Sequence, residues 1–125
     1  MGDAARVSVI IPHWNGIEIL SDCLDSLTKS TYPNIEIVVV DNASTDGSPD
    51  WVAENHPDIN LVRCSENHGY AGGCNRGAAE AEGEFLLFLN NDTIHEPGWI
   101  EPLVESMEVD ETVAAVQPKI LNYFE

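Results

Sequence analysis

Basic residues are scarce. The chain has five Lys and Arg against 22 Asp and Glu, for a formal net charge of -17 over 125 residues. DNA and RNA are thereby excluded as partners, because phosphate binding needs clustered Lys and Arg. Docking on anionic lipid through a basic patch is excluded on the same ground. Cysteines are few. Cys23, Cys64 and Cys74 form no metal-binding spacing. Their odd number, with no signal-peptide pattern, suggests free thiols in a reducing cytosol. No apolar run approaches the length of a membrane span. The start, MGDAARVS, has Arg6 where a myristoylation signal needs Ser or Thr. There is no low-complexity segment, internal repeat or linker.

What is present suits one domain over residues 1–125. Folding at this size buries roughly two-thirds of the unfolded surface. A hydrophobic fraction of 43% supplies an ordinary core. The acids are scattered, as in Glu101, Glu105, Glu108, Asp110 and Glu111, and read as a solvated surface. A salt-rich cytoplasm would screen such a surface. An acidic protein from an ordinary cell accounts for it equally well.

Strand and helix patterns alternate. Val7 to Ile11 is a β-branched run, broken by Asn15-Gly16. Ile17, Leu20, Leu24 and Leu27 then recur at helical spacing. A second strand is expected over Ile35 to Val40, and a helix capped by Ser48 with Pro49 in its first turn. Ile59 to Arg63 is a third strand, and Ala71 to Ala81 a helix. Phe85 to Leu89 reads as a fourth strand, buried on both faces. A helix from Pro97-Gly98-Trp99 to Val109 and a fifth strand over Val113 to Val116 complete the series. The alternation predicts an α/β layer fold with a mostly parallel sheet and helices on both faces.

In open sheets of this kind, ligands bind outside the carboxyl ends of the strands. Three polar clusters fall there: Pro12-His13-Trp14-Asn15, Asp41-Asn42-Ala43-Ser44 and Asn90-Asn91-Asp92. Each alone would be an ordinary turn. Together they form a candidate site. One carboxylate beside amides suits a hard cation such as Mg2+ or Mn2+, whose open positions substrate phosphates fill. Asp92 is the metal candidate, against a turn-cap role. Asp41 could accept from a nucleobase N–H or a ribose hydroxyl, and Trp14 could stack on a base. Their alternatives are a cap and core packing.

The stretch ENHGYAGGCNRGAAEA, Glu66 to Ala81, has glycines at 69, 72, 73 and 77, permitting tight turns and close backbone approach. The helix after it offers an amino end to an anion. It is neither a dinucleotide fingerprint nor a P-loop. Arg76 could reach a phosphate or form a surface salt bridge. His13, His56, His68 and His95 lack ligand spacing and read as exposed or loop residues. Cys74 reads as a small helix residue.

Taken in order, VSVIIPHWNG, IVVVDNASTDGS, NHGYAGGCNRG and FLLFLNNDT resemble family 2 glycosyltransferases of the Rossmann-like GT-A nucleotide-diphospho-sugar transferase fold. They are most similar to the rhamnosyltransferase-like branch. The resemblance covers nearly the whole chain. It implies that Pro12, Trp14 and Asn15 contact the nucleotide, that Asp41 binds the base, and that Asn42 stands where many relatives carry a second Asp. It implies that Gly69 to Gly77, with Gly72 and Asn75, line the donor diphosphate and sugar. Asn90, Asn91 and Asp92 match the D-x-D position, with Asp92 binding Mn2+ or Mg2+. The implied reaction is metal-assisted transfer, with inversion, from a UDP- or dTDP-sugar to the hydroxyl of an acceptor glycan or lipid-linked sugar. The implied setting is the cytoplasm, peripheral to a membrane in a full-length enzyme.

Two departures matter. Asn90 replaces the first acid of D-x-D, so metal affinity rests mainly on Asp92. No carboxylate in residues 113–125 matches the family's acceptor-activating base, which is expected beyond Glu125. The chain therefore reads as a truncated donor-binding half with little activity alone. The alternatives are a non-catalytic nucleotide-binding module and a structural fragment that self-associates through its truncated face. A dinucleotide-binding oxidoreductase is disfavoured by the missing first-turn glycine fingerprint.

Overall fold

The computed structural model describes residues 4–121. β1 (Val7–His13) is followed by α1 (Ile17–Thr28), β2 (Ile35–Asp41) and α2 (Ser48–Asn55). Then come β3 (Asn60–Arg63), α3 (Gly69–Glu80), β4 (Phe85–Phe88) and α4 (Ile100–Glu108). The four strands form one sheet in the order β3-β2-β1-β4, with every pairing parallel. Parallel neighbours need crossovers, and the intervening helices provide them.

β1 and β2 form the centre because β-branched residues fill both of their faces. Val7, Val9, Ile11 and Val39 pack with Leu20, Leu24 and Leu27 of α1, Val52 of α2, and Ile100 and Val104 of α4. On the other face, Ile10, Val38 and Val40 pack against Ala78 and Ala81 of and just beyond α3. Helices thus cover both faces, as expected. The second cover is thin, and α3 lies close. A Cβ on Gly77 would fall 2.4 Å from Ile10 Cγ2, and one on Gly73 would fall 2.9 Å from Pro12 Cβ.

Four sequence expectations need correction. Val113 to Val116 forms no strand; among the described residues, none beyond α4 belongs to a strand or helix. The run has no neighbouring strand to complete its ladder. β4 is not buried on both faces: it lies at the sheet edge, and Leu86 and Phe88 are 44% and 47% exposed. Ser48 is not the cap of α2. Gly47 holds that position with φ 84, and Asp46 Oδ1 accepts from the Ser48 N–H at 3.0 Å. The helix expected over Ala71 to Ala81 begins earlier, so that Gly69 joins Gly72, Gly73 and Gly77 within α3. Residues 122–125, including Glu125, lie outside the described residues.

Candidate functional site

β1 and β2 end in register, with His13 beside Asp41. Each is 2% exposed. Asn42 N–H donates to the His13 carbonyl at 2.8 Å, carrying the ladder one step past the strands. Beyond it the loops after β1 and β2 are joined. Asn15 N–H donates to Ser44 Oγ at 2.9 Å, and Thr45 N–H to Asn15 Oδ1 at 2.8 Å. Gly16 N–H donates to Asp46 Oδ2 at 2.6 Å. Asp46 is held below its usual pKa first by the Ser48 hydroxyl, then by the Gly16 and Ser48 N–H groups. Ser44 N–H donates to Asp41 Oδ2 at 3.0 Å, across Ala43 at φ 63. A left-handed Ala is uncommon, and this one sits where the chain must turn under the rim.

Asn42 uses both ends of its amide. Nδ2 donates to the Gly69 carbonyl at 3.1 Å, and Oδ1 accepts from His68 N–H at 3.3 Å. It anchors the start of α3 to the rim, so the helix N-terminus opens toward it. Gly69 and Asn75 are exposed and Gly72 is half-buried. Arg76 is exposed, and among the described residues no carboxylate pairs with it. Pro12 is buried beneath Gly73. Trp14 is 53% exposed, which removes core packing as its role.

β4 delivers the third cluster to the same rim. Asn91 Nδ2 donates to His13 Nδ1 at 2.9 Å. This bond crosses between β1 and β4, the point where the strand order reverses and a ligand crevice is expected. From the other side, His95 Nε2 lies 2.9 Å from Thr93 Oγ1, and His95 Nδ1 lies 3.0 Å from Ser26 Oγ on α1. Thr93 Oγ1 donates to the Asn90 carbonyl at 2.9 Å. The His95 ring stacks on Trp99 with centroids 4.4 Å apart. Burial pushes the His95 pKa down to about 4. Burial also raises the Cys23 thiol beneath the turn to about 11, so it stays protonated at neutral pH. None of these bonds uses the Asp92 carboxylate, which is exposed.

The histidine expectation therefore fails at His13, the buried last residue of a strand. His95 lies in a loop as expected, but it is half-buried, with both ring nitrogens against side-chain hydroxyls. Neither has a spacing signal in the sequence. Asp46 was also missed, although Asp-Gly-Ser ahead of a helix is a capping pattern.

A divalent cation at this turn would meet one carboxylate, that of Asp92. Among the described residues no three His, Cys, Asp or Glu side chains converge on a metal-sized site. That donor set fits a hard ion held by one or two carboxylates and completed by substrate phosphates. It does not fit a closed protein cage.

Known proteins are similar to this chain in sequence and fold. An uncharacterized glycosyltransferase of Nostoc is 34% identical over 114 residues, covering 89% of this chain and 35% of the relative. The O-antigen biosynthesis protein RfbC of Myxococcus xanthus is 37% identical over 93% of this chain, which spans 9% of that protein. The mannosyltransferase PcManGT from Pyrobaculum calidifontis, solved in complex with GDP-Man and Mn2+, superposes with a TM-score of 0.81 at 35% identity. That match takes in 87% of this chain and 34% of PcManGT. S. aureus TarS 1–349 in complex with UDP gives a TM-score of 0.73 at 30% identity, over 83% of this chain and 32% of that 1–349 chain. The chain thus spans about a third or less of these relatives' lengths. The structural neighbours establish the GT-A glycosyltransferase fold. The family-wide match runs from residue 8 to residue 123, and the chain belongs to glycosyl transferase family 2.

Proposed function

We propose that this chain binds the donor of a glycosyl transfer, a nucleoside-diphosphate sugar, across the carboxyl ends of β1, β2 and β4. The observation that carries this is the meeting of Pro12–Asn15, Asp41–Asn42 and Asn90–Asp92 with the start of α3 at one rim. Trp14 offers an exposed ring for the base. Asp41 offers a carboxylate oxygen to a base N–H. That oxygen is enclosed, so the loops after β1 and β2 must part for a base to reach it. Gly69, Gly72 and Asn75 flank the diphosphate, and Arg76 adds a cation without a competing carboxylate partner. Asp92 would hold Mn2+ or Mg2+, which supplies charge neutralisation of the leaving diphosphate.

The reaction proposed for the whole protein is hexosyl transfer with inversion to an acceptor hydroxyl on a glycan or lipid-linked sugar. The O-antigen relative supports surface polysaccharide as its setting. The rhamnosyltransferase-like branch, and a cytoplasmic location peripheral to the membrane, belong to the same proposal. The match takes up about a third of these relatives' length, which leaves room for the acceptor-activating base outside the matched stretch. Leu86 and Phe88 offer an apolar face for self-association, and a purely monomeric sedimentation profile would remove that part.

The test is calorimetric titration of UDP, dTDP and GDP, in Mn2+ and in EDTA, into wild type and Asp92→Ala. One nucleotide is expected to bind more tightly in Mn2+. Asp92→Ala should lower that affinity on the order of tenfold or more. Binding indifferent to both changes would remove the metal role of Asp92. No binding of any nucleotide would overturn the donor-site reading.

A further inference from the structure

We propose that His13 is a positioning residue that ties the base-side carboxylate, Asp41, to the metal-bearing turn, Asn90–Asp92. The inference rests on the donor-site reading above. Three observations carry it. Asn91 Nδ2 donates to His13 Nδ1 at 2.9 Å, so the imidazole fixes the residue next to Asp92. A ring that accepts at Nδ1 carries its proton at Nε2. That Nε2 is buried without a protein partner, and so is Asp41 Oδ1. His13 and Asp41 are register partners on neighbouring parallel strands, so their side chains project from the same face of the sheet.

One ring therefore stands between the two ends of the proposed donor site. Its acceptor edge holds the turn. Its donor edge, Nε2, is buried without a partner, as is Oδ1 of Asp41, the register partner of His13 on β2. Leaving two such groups unpaired is costly in a core, and persists where function requires it. Burial keeps the ring neutral at physiological pH, against the opposing fields of Asp41 and Asp46. The neutral form is the one that can accept from Asn91. Among the described residues, no main-chain bond links the rim past β1 to the turn past β4, and the last such contact is Leu89 N–H to the Ile10 carbonyl at 2.9 Å. Among the described residues, the His13–Asn91 bond is the direct side-chain link between β1 and that turn.

Two variants separate positioning from simple filling. His13→Leu fills the space without polar atoms. His13→Asn restores an acceptor near the Nδ1 position. The readout is the ratio of nucleotide affinity in Mn2+ to that in EDTA, measured with UDP and GDP on the full chain. His13→Leu should lower the ratio about tenfold, the scale on which outer-shell partners tune metal sites. His13→Asn should restore most of it. A merely structural role would change melting temperature and leave the ratio intact. An unchanged ratio in His13→Leu, or equal loss in both variants, overturns the proposal.

A second readout needs neither variant nor nucleotide. The imidazole nitrogen spectrum of the wild type must show His13 as the Nε2–H tautomer, with the Asn91 side-chain amide slowed in exchange. The Nδ1–H tautomer overturns the proposal. If wild type binds no nucleotide, the donor-site reading fails and the role of His13 in it fails too. The spectrum then reports only whether the Asn91 link itself exists.

Discussion

The two halves of the sheet are built differently. All seven residues of β1 are buried, as are the last four of β2. Both strands have partners on either side, and the loops after them are joined by main-chain and side-chain hydrogen bonds. β4 has four residues, one partner strand, and apolar side chains open to solvent. The turn that follows it is held by side chains of His13, Ser26 and His95. The proposed base side of the site is therefore supported by the main-chain ladder, and the proposed metal side by rotamers. Substitutions should thus act through stability in one half and through side-chain geometry in the other.

The largest expected effect breaks or upholds that contrast directly. Leu24→Ala removes a fully buried side chain packed on β1, and should cost about 3 kcal/mol in urea unfolding. Phe88→Ser, on the open face of β4, should change stability by no more than about 0.5 kcal/mol. Equal costs would mean that the β4 face is covered in solution, and the contrast would fall.

A smaller effect tests the thin cover of the second face. Gly77→Ala gains roughly 1 kcal/mol of helix propensity. Against this, its Cβ meets Ile10 and Val40, both fully buried and unable to yield. Overpacking of this kind costs about 3 kcal/mol, leaving a net loss of about 2 kcal/mol. A stabilised Gly77→Ala would mean that α3 moves away from the sheet at little cost.

Those glycines also mark how far the sequence could be read. The β-branched runs of β1 and β2 are legible because only a strand buried on both faces tolerates them. Phe85 to Phe88 carries the same signal, but edge position depends on strand order, which composition does not encode. Val113 to Val116 shows the opposite failure, a strand-like run with no strand to pair with. Gly73 and Gly77 lie four residues apart and so share one helix face, a signal for close packing against the sheet, whereas Gly69 one turn earlier meets nothing. The three rim clusters were legible because parallel strands end on one side. The histidine contacts were not, because a bond between residues 13 and 91 is fixed by topology alone.

The smallest effect concerns the other brace of the turn. His95 titrates at about 4 in the fold because burial disfavours its charged form, against about 6.5 for a free imidazole. Between those values the unfolded chain binds the proton and the folded chain does not. Stability is therefore full above pH 6.5, declines as pH falls toward 4, and levels off below it. The ring is only half-buried, so solvent screening reduces the effect to about 1 kcal/mol. His13, also lowered by burial, adds a slope of the same sign, so wild type alone does not isolate His95. His95→Gln keeps a polar group between Ser26 and Thr93 but cannot titrate. The difference in unfolding free energy between wild type and His95→Gln should shift by that amount between pH 7 and 4.5, against wild type at the lower pH. A difference that does not change with pH would mean that the ring is open to solvent, and that the turn bearing Asp92 is held from β1 alone.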